Sequence, residues 1–194
     1  MASNKVTDTK RLALLSILTA LTAVLSYMGG FIKVGGLASI SLTLIPVVIG
    51  GALCGKSAGA WLGGVSGVIF FLTPDSAFWL GLSAAGTVIT VMLKAIAAGW
   101  CAGLVYELLE KKNRYTAVFT AAIVCPVINT GIFLVGCLVF FLDTVKELAG
   151  AQGMTVGAFL IIGFVGLNFV FELLVNIILS PVILRLINIK KKNV

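Results

Sequence analysis

Asn168, Glu172 and Asn176 recur at four-residue intervals inside an apolar run from Val156 to Ile189, on a chain with only seven acidic residues. Residues four apart stack along one helix face. An otherwise greasy helix therefore turns a single polar stripe, with a potential charge in it, toward something other than lipid. An ionisable side chain at membrane depth is costly and is normally set against protein or an aqueous cavity. Two further apolar runs carry polar groups at comparable depth: Lys94, with Thr87 and Thr90 before it, and Asn129, beside Pro126. Together Lys94, Asn129, Asn168 and Glu172 point to a binding pocket, with Trp79 and Phe78 available to cover or stack on a ligand. A plainer reading has Lys94 pairing with Glu172 to tie helices together, and the two readings are compatible.

Catalytic chemistry fits these residues poorly. The chain has no histidine, no pair of neighbouring acids and no serine beside an evident base. Cys54, Cys101, Cys125 and Cys137 are scattered through apolar runs with no Cys-x-x-Cys spacing, so neither a metal site nor a redox pair is expected, and no cofactor. The segment from Gly50 to Ser57, GGALCGKS, matches the phosphate-loop pattern letter for letter. That motif works only between a buried strand and a helix with acidic help for magnesium. Here it falls between two apolar segments with no strand pattern, and the match is read as coincidence. Glycines 51, 55, 59, 63 and 67 give a better account, since small residues four apart let helix backbones approach closely within a membrane. They predict tight packing of the second and third spans.

The elements that must hold these residues are apolar. Of 194 residues, 60% are hydrophobic and 11% charged, and the mean hydropathy is +1.16. One small water-soluble domain could not bury that much apolar surface, and the alternation of a membrane β-barrel is missing. The expectation is an all-α integral membrane protein, a six-transmembrane-helix bundle forming one domain over residues 1–194. The spans are placed at about 12–28, 40–54, 58–72, 84–109, 117–142 and 156–189. Residues 76–83 are read as an interfacial segment and 143–153 as a polar loop. No cleaved targeting segment is expected, because the polar start lacks the signal-peptide pattern.

Six spans put both termini on one side. Eleven of the fourteen Lys and Arg residues then fall on that side, which the positive-inside rule assigns to the cytoplasm. In the first span, Ser16 and Ala20 form a small-residue pair that can serve packing within the bundle or dock a separate membrane protein.

Several stretches resemble the substrate-binding S components of energy-coupling factor (ECF) vitamin transporters. The basic entry Lys10-Arg11 followed by Ser16-x-x-x-Ala20 is similar to that family's Ala-x-x-x-Ala first helix, with serine in place of the first alanine. The segment Leu42 to Gly50, with Pro46 before Ile49-Gly50, resembles its second span, and Asn168-x-x-x-Glu172 with Pro181 resembles its last helix. The resemblance implies a subunit, not an enzyme, that captures a water-soluble vitamin outside a bacterial cell membrane. It implies a gating loop between the first two spans, here carrying Lys33, Gly35 and Gly36. It further implies docking through Ser16 and Ala20 onto a transmembrane coupling subunit driven by two cytosolic ATPase subunits, then toppling in the membrane to release the cargo. The second span and Val127 to Thr130 are similar to pantothenate-like or hydroxymethylpyrimidine-like members, and Lys94 would suit the anion pantothenate. A stand-alone secondary carrier is the alternative, although such carriers usually show inverted repeats, and none is evident here.

Overall fold

The computed structural model describes residues 2–31 and 42–192, and among these every regular element is helical. Helix α1 spans Ala2–Gly29, α2 Leu44–Cys54, α3 Lys56–Phe70, α4 Pro74–Leu82, α5 Ala84–Leu109, α6 Arg114–Phe140 and α7 Leu142–Ala151. A short turn α8 (Val156–Ala158) leads through a π-helical stretch, Phe159–Val165, into α9 (Gly166–Lys192).

Among the described residues, four helical segments are long and apolar enough to cross a membrane: Thr9–Gly29, Ala84–Leu109, Arg114–Phe140 and Val156–Arg185. The bent pair α3–α4, which turns by 83°, makes a fifth if taken as one span. Helix α2 has 11 residues. At 1.5 Å per residue it reaches about 16 Å, roughly half a bilayer's hydrocarbon thickness. Large exposed apolar side chains such as Ile17, Leu93, Val135 and Ile178 cover the outside of the bundle, which is the surface a lipid environment demands.

Local chemistry explains most of the element ends. Gly55 separates α2 from α3 at φ +91°, a left-handed conformation that favours glycine. Pro74 opens α4, where a missing N–H costs nothing. Ser83 caps α5 by accepting from the Gly86 N–H at 3.2 Å, and Asn113 caps α6 by accepting from Tyr115 at 2.9 Å.

Two departures from the sequence reading have physical causes. Residues 143–153, read as a polar loop, hold the amphipathic helix α7. Its Val145 and Ala149, four apart, are buried in a cluster with Trp79, Phe141 and Phe159. The last segment is broken rather than continuous: after the π-helical stretch, Gly166 sits at φ 4°, ψ −115°, outside helical geometry, two residues before Asn168.

The glycine seam also differs in its partners. Gly59 does approach α2 at Gly51, but Gly59 and Gly63 press chiefly against the backbone of α5 at Gly99 and Ala95. A Cβ at Gly51 would stand 3.1 Å from the Gly103 Cα, and one at Gly99 would stand 2.6 Å from the Gly59 carbonyl carbon and 2.9 Å from Val47 Cγ1. Three helices, α2, α3 and α5, thus meet through glycine. Gly99→Leu should destabilise the fold by about 3 kcal/mol or more, the upper range for overpacking, because backbone cannot give way as a side chain can. Gly64→Ala, whose Cβ would meet only Ile96 at 3.7 Å, should be near neutral. Thermal unfolding in detergent compares them; equal stability of the two variants would show that the seam is not tight.

Candidate functional site

Arg11 donates to the Cys54 carbonyl, and Glu107 accepts from the Lys56 N–H at 3.0 Å and pairs with its ammonium at 3.4 Å. These contacts bring the start of α1, the α2–α3 corner and the end of α5 to one end of the bundle. They also occupy the lysine of the phosphate-loop look-alike with a carboxylate, and the glycines around it serve helix packing.

A cavity opens toward the opposite end, between the end of α1, the start of α2, the α3–α4 bend, the first half of α5, the second half of α6 and the start of α9. It leaves about 130 Å³ for the centres of water-sized molecules, room for on the order of ten waters. The break between α3 and α4 is what lets α4 turn across this end. Its Asp75 and Trp79, four apart, both face the cavity.

Helix α5 contributes Thr87, Thr90 and Lys94, spaced to share one face. Thr87 is committed to structure: its hydroxyl lies 2.7 Å from the Trp79 carbonyl and 2.8 Å from that of Ser83, tying α4 to α5. Thr90 is pressed against Gly136 of α6, where a Cβ would come within 3.0 Å of the Thr90 Cβ. Its hydroxyl is buried and has no hydrogen-bond partner among the described residues.

Lys94 reaches the cavity with its ammonium 4.9 Å from the centre of the Phe133 ring and 5.9 Å from that of Phe70. Such cation–π contacts contribute about 0.5–2 kcal/mol, more when desolvated. Glu172 exerts the leading electrostatic attraction on this lysine. Helix α6 adds Asn129 and Thr130, and α9 adds Asn168, Phe169 and Glu172. Asn129, Asn168 and Glu172 are each over nine-tenths buried. Trp79 is held edge-on by Phe133 at 5.5 Å and Phe141 at 5.2 Å.

The structure therefore brings Lys94, Asn129, Asn168, Glu172 and Trp79 to one cavity. Phe78 is placed elsewhere: it is exposed, outside the lining, with its ring edge-on to Trp79 at 5.3 Å. Asn176 is buried but also outside the lining, its amide donating to the Glu172 backbone carbonyl at 2.9 Å. Lys33, Gly35 and Gly36 lie outside the described residues. Ser16 and Ala20 are exposed on α1, away from the cavity. The Ser16 hydroxyl turns back to the Leu12 carbonyl at 3.0 Å.

Sequence reasoning missed Asp75, Thr90, Phe70, Phe133 and Ser26 as wall residues. Asp75 with Trp79, and Asn129 with Phe133, each show the four-residue spacing that marked α9. That signal was available.

Helices built for lipid, with a cavity among them whose wall carries polar and charged side chains, mark a multi-pass membrane protein with a candidate solute site. The chain belongs to the substrate-specific components of ECF transporters: the family model "ECF transporter, substrate-specific component" matches residues 10–184. No curated protein and no solved structure matches the chain. Membership makes it the specificity subunit of a transporter rather than an enzyme, with a small-molecule substrate and the membrane and ATPase subunits of an ECF module as partners.

If the cavity is where the solute binds, Lys94→Ala and Asn129→Ala should each weaken binding of the molecule carried through purification at least tenfold, about 1.4 kcal/mol. Titration calorimetry on folded variants reads this out, and unchanged affinity in both would move the site elsewhere.

Proposed function

We propose that this chain captures a water-soluble vitamin or related micronutrient in the cavity walled by Lys94, Asn129, Asn168, Glu172 and Trp79, and delivers it across the bacterial cell membrane when docked on an ECF module. The family match over residues 10–184 carries this reading, and a cavity with polar and charged side chains in its wall supports it. Six membrane segments with cytoplasmic termini fit the position of the cavity. It opens at the end opposite Arg11, Lys56 and Glu107, and so would face outward. In that arrangement α2 is a partial span, and the gating role that the resemblance implies for Lys33, Gly35 and Gly36 is part of this proposal. Pantothenate is the individual vitamin that the resemblance and Lys94 suggest.

The docking face is assigned to α1. Ser16 and Ala20 are exposed, together with Leu12, Ile17 and Val24, so this small-residue pair is not consumed by packing inside the bundle. Close helix approach through small residues is how membrane helices associate without a hydrophobic driving force. The neighbouring Thr19 is instead occupied, donating to the Leu15 carbonyl at 2.8 Å and accepting from Trp61 at 3.2 Å.

Ala20→Trp should cut uptake at least tenfold in vesicles containing the coupling subunits while leaving solute affinity within twofold. Parallel loss of uptake and affinity would make Ala20 an ordinary packing residue. Uptake that proceeds at the full rate without the ATPase subunits would reject the proposed role altogether.

A further inference from the structure

Trp79 and Asp75 reach the cavity from α4, a helix of only nine residues. So short a helix has little stability of its own and depends on its ties to the bundle. Its first turn is tied to the end of α3: the Ser76 hydroxyl lies 2.7 Å from the Thr73 carbonyl and 3.1 Å from that of Phe71. Its last turn is tied to α5 through Thr87, which is 1% exposed. At the two ends of α4, Thr73 (φ −89°, ψ 155°) and Ser83 (φ −161°, ψ 107°) have extended backbone. The helix is thus a separate unit between two non-helical joints, the kind of element-terminal positions that absorb a change of angle.

The tie at Thr87 is unusual in being shared. Its hydroxyl lies 2.7 Å from the Trp79 carbonyl and 2.8 Å from the Ser83 carbonyl. A threonine hydroxyl has one proton to donate, so it serves one carbonyl fully or both in part. Neither carbonyl depends on it. The Trp79 carbonyl also accepts from the Ser83 N–H at 3.2 Å, and the Ser83 carbonyl from the Thr87 N–H at 2.9 Å. Donation to Trp79 fastens α4 to α5, whereas donation to Ser83 is a local bond four residues back along the chain. Leaving a buried polar group unpaired is the costly outcome, and neither arrangement does so. The tie is therefore made or released with a small change in free energy.

Resting on the solute-capture reading above, we propose that Thr87 is a positioning residue for solute binding, its shared proton a latch that sets α4, and with it Trp79, against the cavity. With the proton on the Trp79 carbonyl, α4 is docked and the indole, edge-on to Phe133 and Phe141, forms its part of the wall. With the proton on the Ser83 carbonyl that tie is released and α4 is free to shift on its two joints. A solute resting on the indole stabilises the docked arrangement over the released one, so capture and latching reinforce each other.

The test needs no solute. In the full-length protein in nanodiscs, Trp61→Phe and Trp100→Phe leave Trp79 as the sole tryptophan of three. Acrylamide quenching then reports how well Trp79 is covered, and hydrogen exchange read by mass spectrometry follows residues 74–82. Thr87→Val removes the shared proton and leaves both carbonyls their backbone donors, so the unfolding midpoint should stay within about 4 °C of the parent. Quenching of Trp79 should rise about twofold or more and exchange across residues 74–82 about fivefold or more, with the rest of the chain unchanged. Thr87→Ser, which restores the hydroxyl, should return both to parent values. Thr90→Val, three residues along α5 and packed against Gly136, should change neither. Unchanged quenching and exchange in Thr87→Val, or equal changes in Thr90→Val, overturn the inference. Misfolding of Thr87→Val, or a rise in exchange spread over the whole chain, overturns it as well, because the latch requires that removing the proton orphan no buried group. Failure of the capture reading shows separately, as a wild-type chain that binds no vitamin-class solute.

Discussion

An ionisable group within an apolar bundle must be enclosed by protein, and Lys94 sets that requirement for the rest of this structure. Its ammonium lies over the Phe133 and Phe70 rings and within the field of Glu172. Each of these groups comes from a different helix, so α3, α5, α6 and α9 must converge at one depth. The convergence leaves a cavity because the side chains that meet there are polar or aromatic, with bonding and contact needs that cannot all be met by close packing. Below it, toward the end that holds Arg11, Lys56 and Glu107, the same helices close over Leu62, Ala98, Ala102, Val118 and Ala121.

Glycine makes the convergence geometrically possible. At Gly51, Gly59, Gly99 and Gly103 the backbones of α2, α3 and α5 come closer than any side chain would permit. Gly136 of α6 instead makes room for the Thr90 side chain of α5. In a bilayer such contacts draw on dispersion and shape rather than on release of water. The seam therefore acts as a rigid frame on one side of the cavity. The α3–α4 bend and the π-helical stretch before α9 supply irregular backbone on the other. Interruptions of this kind are tolerated at membrane depth where they line a cavity or are covered by protein.

Much of this was legible in the sequence, and the parts that were not have identifiable causes. The stripe of Asn168 and Glu172 and the lone Lys94 stood out because a polar residue in an apolar run carries a cost that needs a reason. Their meeting at one cavity followed from similar depth in adjacent segments. Asp75 escaped notice because it follows Thr73-Pro74, a sequence that reads as a turn, and the 83° bend that swings it over the cavity is a tertiary effect. Helix α7 was hidden by its charges, since Asp143, Lys146 and Glu147 outweigh Val145 and Ala149 in any average although they occupy the opposite face. The glycine ridge was visible, but a ridge does not name its partner: Gly99 and Gly103 lie on the same four-residue spacing in α5. Phe78 and Trp79 could not be told apart by type, and only the orientation of α4 turns one inward and the other out.

On the proposed reading, the cavity holds one small vitamin-class solute. Native mass spectrometry of the protein released gently from detergent tests it most directly. A single non-covalent adduct per chain is expected, with the mass of a water-soluble vitamin or a close precursor, and it should disappear on unfolding. A chain that carries no such adduct, and acquires none when titrated with a panel of these compounds, would contradict it.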